Sequence, residues 1–181
     1  MGKKTISAIA IAAMLVVAGP AIKKYEGYSS RPYKDQVGVL TVCYGETNVR
    51  MRKYSRAECN ALFDGRAAEF GKAVAARNPT LVSRPYQWAA ATSLAYNIGV
   101  GAYNRSTVAK NFEAGNWKKA CQSFKSWVYA GGRINQGLKN RRADDWREKS
   151  EHVVRHEVSH MSDDDLTRIA AGRSEGVVAP K

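Results

Sequence analysis

Tyr25-Glu26-Gly27-Tyr28-Ser29-Ser30-Arg31-Pro32-Tyr33-Lys34-Asp35-Gln36-Val37-Gly38-Val39-Leu40-Thr41-Val42-Cys43-Tyr44-Gly45 holds a helix end, a strand pair and two acidic side chains in unlike settings. Gly27 is placed to end a preceding helix as a left-handed cap, which leaves Glu26 in the last turn. There the negative end of the helix dipole and partial burial both favour a protonated carboxyl. From Asp35 the character changes. Val37, Val39 and Leu40 bracket Gly38, and Thr41-Val42-Cys43-Tyr44 is rich in strand formers, so a short β-hairpin is predicted. Asp35 enters it polar and exposed, and Thr41 lies on its second strand.

A protonated carboxyl is what a general acid starts from. Two carboxylates in unlike environments, with a hydroxyl able to orient water, form the set that glycoside hydrolysis uses. Alone the spacing is common, and surface carboxylates beside a strand threonine would look the same.

Working toward the N-terminus, Lys3 and Lys4 precede an uncharged run over residues 5–22, and Lys23 and Lys24 follow it. As a helix those 18 residues extend about 27 Å, just short of a hydrocarbon core of about 30 Å. Alanines, Thr5, Ser7, Gly19 and Pro20 dilute its isoleucines, leucine and valines, so spanning is marginal. The flanking lysines predict an N-in orientation. Two readings stand: a signal peptide cleaved after Val16-Val17-Ala18, or a retained anchor weak enough to leave the bilayer. A buried core helix is disfavoured, because lysine pairs flank a run that is apolar all round.

Lys and Arg outnumber Asp and Glu by 29 to 16, a net charge of +13. Such an excess suits polyanions, including acidic envelope polymers. The basic residues are scattered and no zinc-finger spacing or RNA-binding aromatic signature is present, so nucleic acid is not expected as a partner. At 181 residues the chain suits one well-buried domain. Cys43, Cys59 and Cys121 are too few for a disulfide scaffold, an odd count leaves at least one thiol unpaired, and buried structural cysteine is the expectation for all three, with any pairing left open.

Further on, Ser55-Arg56-Ala57-Glu58 reads as a capping box opening a helix that ends before Asn78-Pro79. Leu62, Phe63, Phe70 and Val74 mark its core side. More helices are predicted over 85–97, 107–114, 117–128 and 140–160. Trp88, Trp117, Trp127 and Trp146 are read as packing residues. His156-Glu157-Val158-Ser159-His160 matches the zincin pattern H-E-x-x-H, and His152 extends the same face. A zincin needs a further ligand and an upstream substrate strand, and Glu175 is the sole downstream carboxylate at suitable range. The expectation is therefore a solvated histidine face, no metal and no cofactor. Residues 161–181 form an extension with one short helix capped near Ser162.

The order Glu26, Asp35, Thr41 resembles the catalytic signature of the phage lysozymes of glycoside hydrolase family 24. Tyr33-Lys34-Asp35, Val39-Leu40-Thr41-Val42-Cys43-Tyr44-Gly45, Ala95-Tyr96-Asn97-Ile98-Gly99-Val100-Gly101, Ser106-Thr107, Trp127-Val128-Tyr129-Ala130-Gly131-Gly132 and Gly137-Leu138-Lys139-Asn140-Arg141-Arg142 extend the likeness over about residues 22–155. The resemblance implies an α+β, mainly helical, lysozyme-like fold, with a small β-hairpin lobe and a larger helical lobe flanking a cleft. It implies Glu26 as general acid, with Asp35 and Thr41 positioning water, against the β-1,4 bond between N-acetylmuramic acid and N-acetylglucosamine in peptidoglycan. Where many relatives carry His after the glycine and brace the fold with an ion pair, this chain has Glu46, which implies a different local network.

The layout expected is an anchor over 1–24, a catalytic domain over 25–160 and an extension over 161–181, in a monomer. The chain also resembles the signal-anchor-release endolysins of lambdoid phages. Four residues separate Ile22 from Glu26, about 6 Å along a helix, so an inserted anchor would hold Glu26 at the inner-membrane headgroups and keep the cleft from forming. Residues 1–25 lack cysteine, which excludes a thiol swap with the anchor and leaves refolding on release into the periplasm. The alternatives are an anchored peptidoglycan-binding protein without catalysis, and a zinc metallohydrolase built on His156 and His160.

Overall fold

A computed structural model of the chain describes residues 6–35 and 37–145. The histidine face at 152, 156 and 160, Trp146 and the extension over 161–181 lie outside the described residues.

Helix α1 spans Ala8–Glu26, and the Ser7 hydroxyl caps its start by accepting from the Ala10 amide at 3.2 Å. It runs through the boundary expected between residues 24 and 25 and ends at Gly27, whose φ of 71° is the conformation that a side chain would disfavour. One face, built from Ile11, Ala12, Met14, Leu15, Ala18 and Ile22, is buried, and α1 packs on the helices over Arg56–Arg77 and Pro85–Ile98. The reading disfavoured from the sequence is thus the one this fold adopts: α1 is a core helix. Its even apolarity hid which face would be covered. Met14 fills the notch left by Gly71, and Gly19 lets Phe63 approach. On the opposite face Ile9 is 51% exposed, while Ala13 and Val16 are partly buried.

Strands β1 (Ser29–Lys34) and β2 (Leu40–Cys43) pair antiparallel, with Tyr33 opposite Thr41 and an irregularity between Ser29 and Tyr33. Helix α2 (Arg56–Arg77) opens on the expected capping box: the Ser55 hydroxyl accepts from the Glu58 amide, and the Glu58 carboxylate accepts from the Ser55 amide at 2.7 Å. Cys43 and Cys59 form a disulfide that ties the end of β2 to the first turn of α2. Both are buried, as expected of structural cysteines, and the pairing that the sequence left open is this one; among the described residues only Cys121 is free, and it is partly buried. The odd count could not say which pair would meet, and pairing of the hairpin with α2 decides it.

α2 stops at Asn78, as the Asn-Pro step requires. The buried Asn78 amide donates to the Ala109 carbonyl at 2.9 Å and its oxygen accepts from the Tyr103 hydroxyl at 2.8 Å. Beyond it come α3 (Pro85–Ile98), α4 (Val100–Arg105), α5 (Thr107–Glu113) and α6 (Trp117–Ser123). α6 passes into a 3-10 turn over Phe124–Ser126, short of the helix expected to 128. Then β3 (Tyr129–Ala130) and β4 (Arg133–Ile134) form a second antiparallel pair, and α7 (Gln136–Asp145) follows. Neither α4 nor this hairpin was expected, and α7 starts before residue 140. Trp88 is buried as expected and donates to the Gly71 carbonyl at 2.9 Å, while Trp117 and Trp127 are partly buried against the core.

Candidate active site

Glu26 ends α1, and its side chain is held from the far end of the described chain. Arg141 on α7 donates from Nη1 to Glu26 Oε1 at 2.9 Å, with side-chain exposures of 5% for Arg141 and 23% for Glu26. Arg141 also donates to the Ser93 carbonyl on α3 at 3.5 Å. Its guanidinium is thus fixed from two sides before it meets the acid. Neighbouring residues pin the same helix end. Lys24 and the Tyr25 hydroxyl both bond Asp144 on α7, at 2.7 and 2.6 Å. Lys23 reaches Asn60 at 3.1 Å and Asp64 at 3.6 Å on α2, lying over the Phe63 ring. The lysine pair that flanks the apolar run therefore fixes the register of α1 against two helices.

The turn after β2 comes back to Glu26. A β-carbon at Gly45 would stand 3.9 Å from Glu26 Oε2, and the φ of 92° at Gly45 carries the chain past that oxygen. Next comes Glu46, buried, with Arg66 of α2 donating to its Oε2 at 3.1 Å and to the Gly45 carbonyl at 3.0 Å. Burial pushes the Glu46 carboxyl above its ordinary range, Arg66 pulls it back, and the charges of Glu26 and Glu69 add to the rise. Tyr96, from the Ala95-Tyr96-Asn97 word, is partly buried with its hydroxyl among the same charges, and loss of solvent there raises that hydroxyl well above the ordinary value. A groove of about 450 Å³ opens beside this pair, lined by Asn48, Val49, Leu62, Arg66 and Phe70 among others. Leu62 and Phe70, expected in the core, are only partly buried because they form its wall.

Asp35 and Thr41 sit on the β1–β2 hairpin and are joined through one residue. Asp35 Oδ1 accepts from the Val37 amide at 3.0 Å and from the Val39 amide at 2.8 Å, which closes the hairpin tip. The Thr41 hydroxyl donates to the Val39 carbonyl at 3.0 Å and is buried. Glu26 and the Asp35–Thr41 pair are thus held by separate elements, linked by the short Gly27-Tyr28 connection. Sequence reasoning missed Arg141 as a partner of Glu26. The word Gly137-Leu138-Lys139-Asn140-Arg141-Arg142 marked the place, yet nothing local says that a residue 115 positions away closes on the acid. Among the described residues no group of three or more His, Cys, Asp or Glu could hold a metal ion.

Removing Arg141 leaves a partly buried carboxylate without its counter-charge. Breaking such a pair costs about 3–5 kcal/mol when fully buried, and the exposure of Glu26 puts this one at the low end. Arg141→Ala is expected to lower unfolding free energy by about 2–3 kcal/mol in urea titration. Its activity should fall by at least about tenfold at temperatures where the variant is fully folded. Undiminished activity in the folded variant would show that Arg141 does not organise the acid.

A strand-pair lobe and a helical lobe bridged by one long helix, with a carboxylate at a helix end where they meet, define a lysozyme-type glycoside hydrolase. Solved structures share the fold. The muramidase domain of SpmX from Asticaccaulis excentricus matches with a TM-score of 0.61 at 21% identity, covering 80% of this chain and 96% of that one. The active form of the P1 phage endolysin Lyz matches with a TM-score of 0.59 at 20% identity, covering 80% and 94%. The phage lysozyme family model matches residues 23–145. The SAR-endolysin of Enterobacteria phage P21 is 39% identical over 140 residues, 75% of this chain and 83% of its own length. That of Escherichia phage Mu is 41% identical over 119 residues, 65% and 69%. The chain belongs to the phage lysozyme family: it is an endolysin, a glycoside hydrolase of the muramidase type.

Proposed function

We propose that the chain hydrolyses the β-1,4 bond between N-acetylmuramic acid and N-acetylglucosamine, with Glu26 as general acid and Asp35 and Thr41 positioning the attacking water. The observation that carries this is the Glu26 carboxylate at the end of α1, fixed by Arg141 where the β1–β2 hairpin leaves the helix. Glu26 gives its proton to the glycosidic oxygen as the C–O bond breaks and positive charge grows on the sugar carbon. The ionised Asp35 stabilises that charge and, with the Thr41 hydroxyl, orients water for attack. Arg141 then receives a carboxylate it already faces. No observation favours a binding protein without catalysis.

The lysis role follows in two stages. Residues 5–22 first tether the chain to the host inner membrane, with the remainder facing the periplasm. On release the same residues become α1. The helix carries both properties this needs: it is long and apolar enough to cross a membrane, and its Ile11–Ile22 face is buried when folded. Until it docks, Glu26 has no fixed relation to Arg141. The layout of a signal-anchor over 1–24, a catalytic domain over 25–160 and an extension over 161–181 is kept as a description of the tethered state.

Digestion of peptidoglycan in ¹⁸O-water tests the chemistry. Hydrolysis with positioned water is expected to leave reducing N-acetylmuramic acid ends carrying one ¹⁸O. Anhydro-muramic ends without label would show a transglycosylase, and the roles of Asp35 and Thr41 would fall.

A further inference from the structure

Helix α1 packs through apolar side chains that recur on all its sides, and such side chains replace one another at modest cost. A slip of one residue turns a helix by about 100° and advances it by about 1.5 Å. The polar residues that close α1 have no such tolerance. Lys24 and the Tyr25 hydroxyl meet Asp144 at 2.7 and 2.6 Å, and Glu26 meets Arg141 at 2.9 Å. Arg141 and Asp144 stand three apart on α7, so they share a face and offer opposite charges to consecutive residues of α1. A slip that carried Lys24 toward Arg141, or Glu26 toward Asp144, would set like charges together.

The two contacts at Asp144 are unequal. Lys24 is 62% exposed in its pair, and an exposed pair contributes little. The Tyr25 bond is short, partly buried and made to a charged acceptor, which puts it among the stronger kinds. The Tyr25 ring in turn lies 5.5 Å from the Arg141 guanidinium. Tyr25 is therefore held at its hydroxyl by Asp144 and touched at its ring by the residue that holds the acid. Glu26 follows it directly as the last residue of α1. With no further turn beyond it, the acid has only this last turn to fix its place.

We propose that Asp144 is a positioning residue for the reaction: through the Tyr25 hydroxyl it fixes the last turn of α1 against Arg141, and with it the place of the Glu26 carboxyl. Arg141 supplies the charge partner and Asp144 supplies the register. The inference rests on the muramidase reading of Glu26 and adds a residue that acts on the support of the acid rather than on the sugar. Burial, with the Asp144 charge adding to it, raises the Tyr25 hydroxyl above its ordinary value, so the donor keeps its proton.

The test uses the full chain with Tyr25→Phe, Asp144→Ala and Asp144→Asn, on soluble glycan strands at temperatures where melting curves show each variant folded. Tyr25→Phe takes away one oxygen and leaves the ring beside Arg141, which keeps a folded variant in hand should Asp144→Ala fail to fold. In both, kcat is expected to fall about tenfold with KM within about twofold. The two residues act as one unit, so the double variant should be no slower than either single. Asp144→Asn keeps an acceptor for the Tyr25 hydroxyl and should recover at least about half of the parental kcat. Parental kcat in Tyr25→Phe would overturn the proposal. So would losses that multiply in the double variant, or a change confined to KM. An Asp144→Asn chain as slow as Asp144→Ala would also overturn it, by assigning the effect to the charge facing Lys24. Failure of the underlying reading looks different: the parent chain itself would release no sugar ends, and Asp144 would have no reaction to serve.

Discussion

Glu26→Gln is expected to abolish clearing of outer-membrane-stripped cells, with kcat down by about 10³-fold or more and the thermal midpoint lowered by only a few degrees. The amide keeps the shape of the carboxyl and can still accept from Arg141, so the helix end, the Gly45 turn and the α7 contact have no reason to rearrange. What it lacks is a proton to give to the leaving oxygen. General acid–base catalysis is worth about 10²–10⁴, and poor leaving groups such as sugar hydroxyls put the loss at the upper end. The ion pair with Arg141 is lost and leaves a guanidinium only 5% exposed without its counter-charge, so a cost of about 1–2 kcal/mol is expected, less than for Arg141→Ala because the amide oxygen still accepts. Turbidity and a melting curve on one preparation check both halves. Clearing at parental rates would remove Glu26 from the mechanism.

The second large effect separates the two lives of α1. Leu15 is buried and Ile9 is 51% exposed on the same helix. Leu15→Asp places a carboxylate inside the interface with α2 and α3, a cost of several kcal/mol against a domain total of about 5–15 kcal/mol. That chain should show no cooperative unfolding and no activity. Ile9→Asp should change stability by about 0.5 kcal/mol or less and leave a refolded enzyme fully active. In a bilayer the contrast narrows: an aspartate near the middle of a span, as at position 15, costs about 2.5–3.5 kcal/mol, one at position 9 costs less, and this run was marginal already. Both should therefore weaken membrane association, while only Leu15→Asp destroys the fold. Circular dichroism melts and membrane fractionation of the two variants report it. Equal damage to folding by both would mean that α1 does not pack as described.

The legible parts of this protein were those written in local chemistry. Gly27 ends α1, Ser55 and Glu58 cap α2, Asn78-Pro79 stops it, and the alternation after Asp35 makes the first hairpin. Each is settled within a few residues. The rest depended on who meets whom. An alanine-rich helix apolar on every side gives no period to mark a core face, so its packing on α2 and α3 could not be read. Three cysteines allow three pairings, and only the docking of β2 on α2 selects Cys43 with Cys59. Arg141 was one arginine among many until α7 turned it toward Glu26. The second hairpin had its Gly131-Gly132 signal in plain view. Its strands are two residues each, too short for any alternation to show.

Under the proposed function one helix serves first as tether and then as the strut that positions the acid. The direct check is the intact mass of the chain recovered from the soluble fraction when peptidoglycan clearing begins after membrane depolarisation. Retention of residues 5–22 in that active species is the expected result, since Ile11, Met14, Leu15 and Ile22 are needed in its core. An active chain cut after Ala18 would contradict it, because most of that buried face would be gone from an enzyme that still worked.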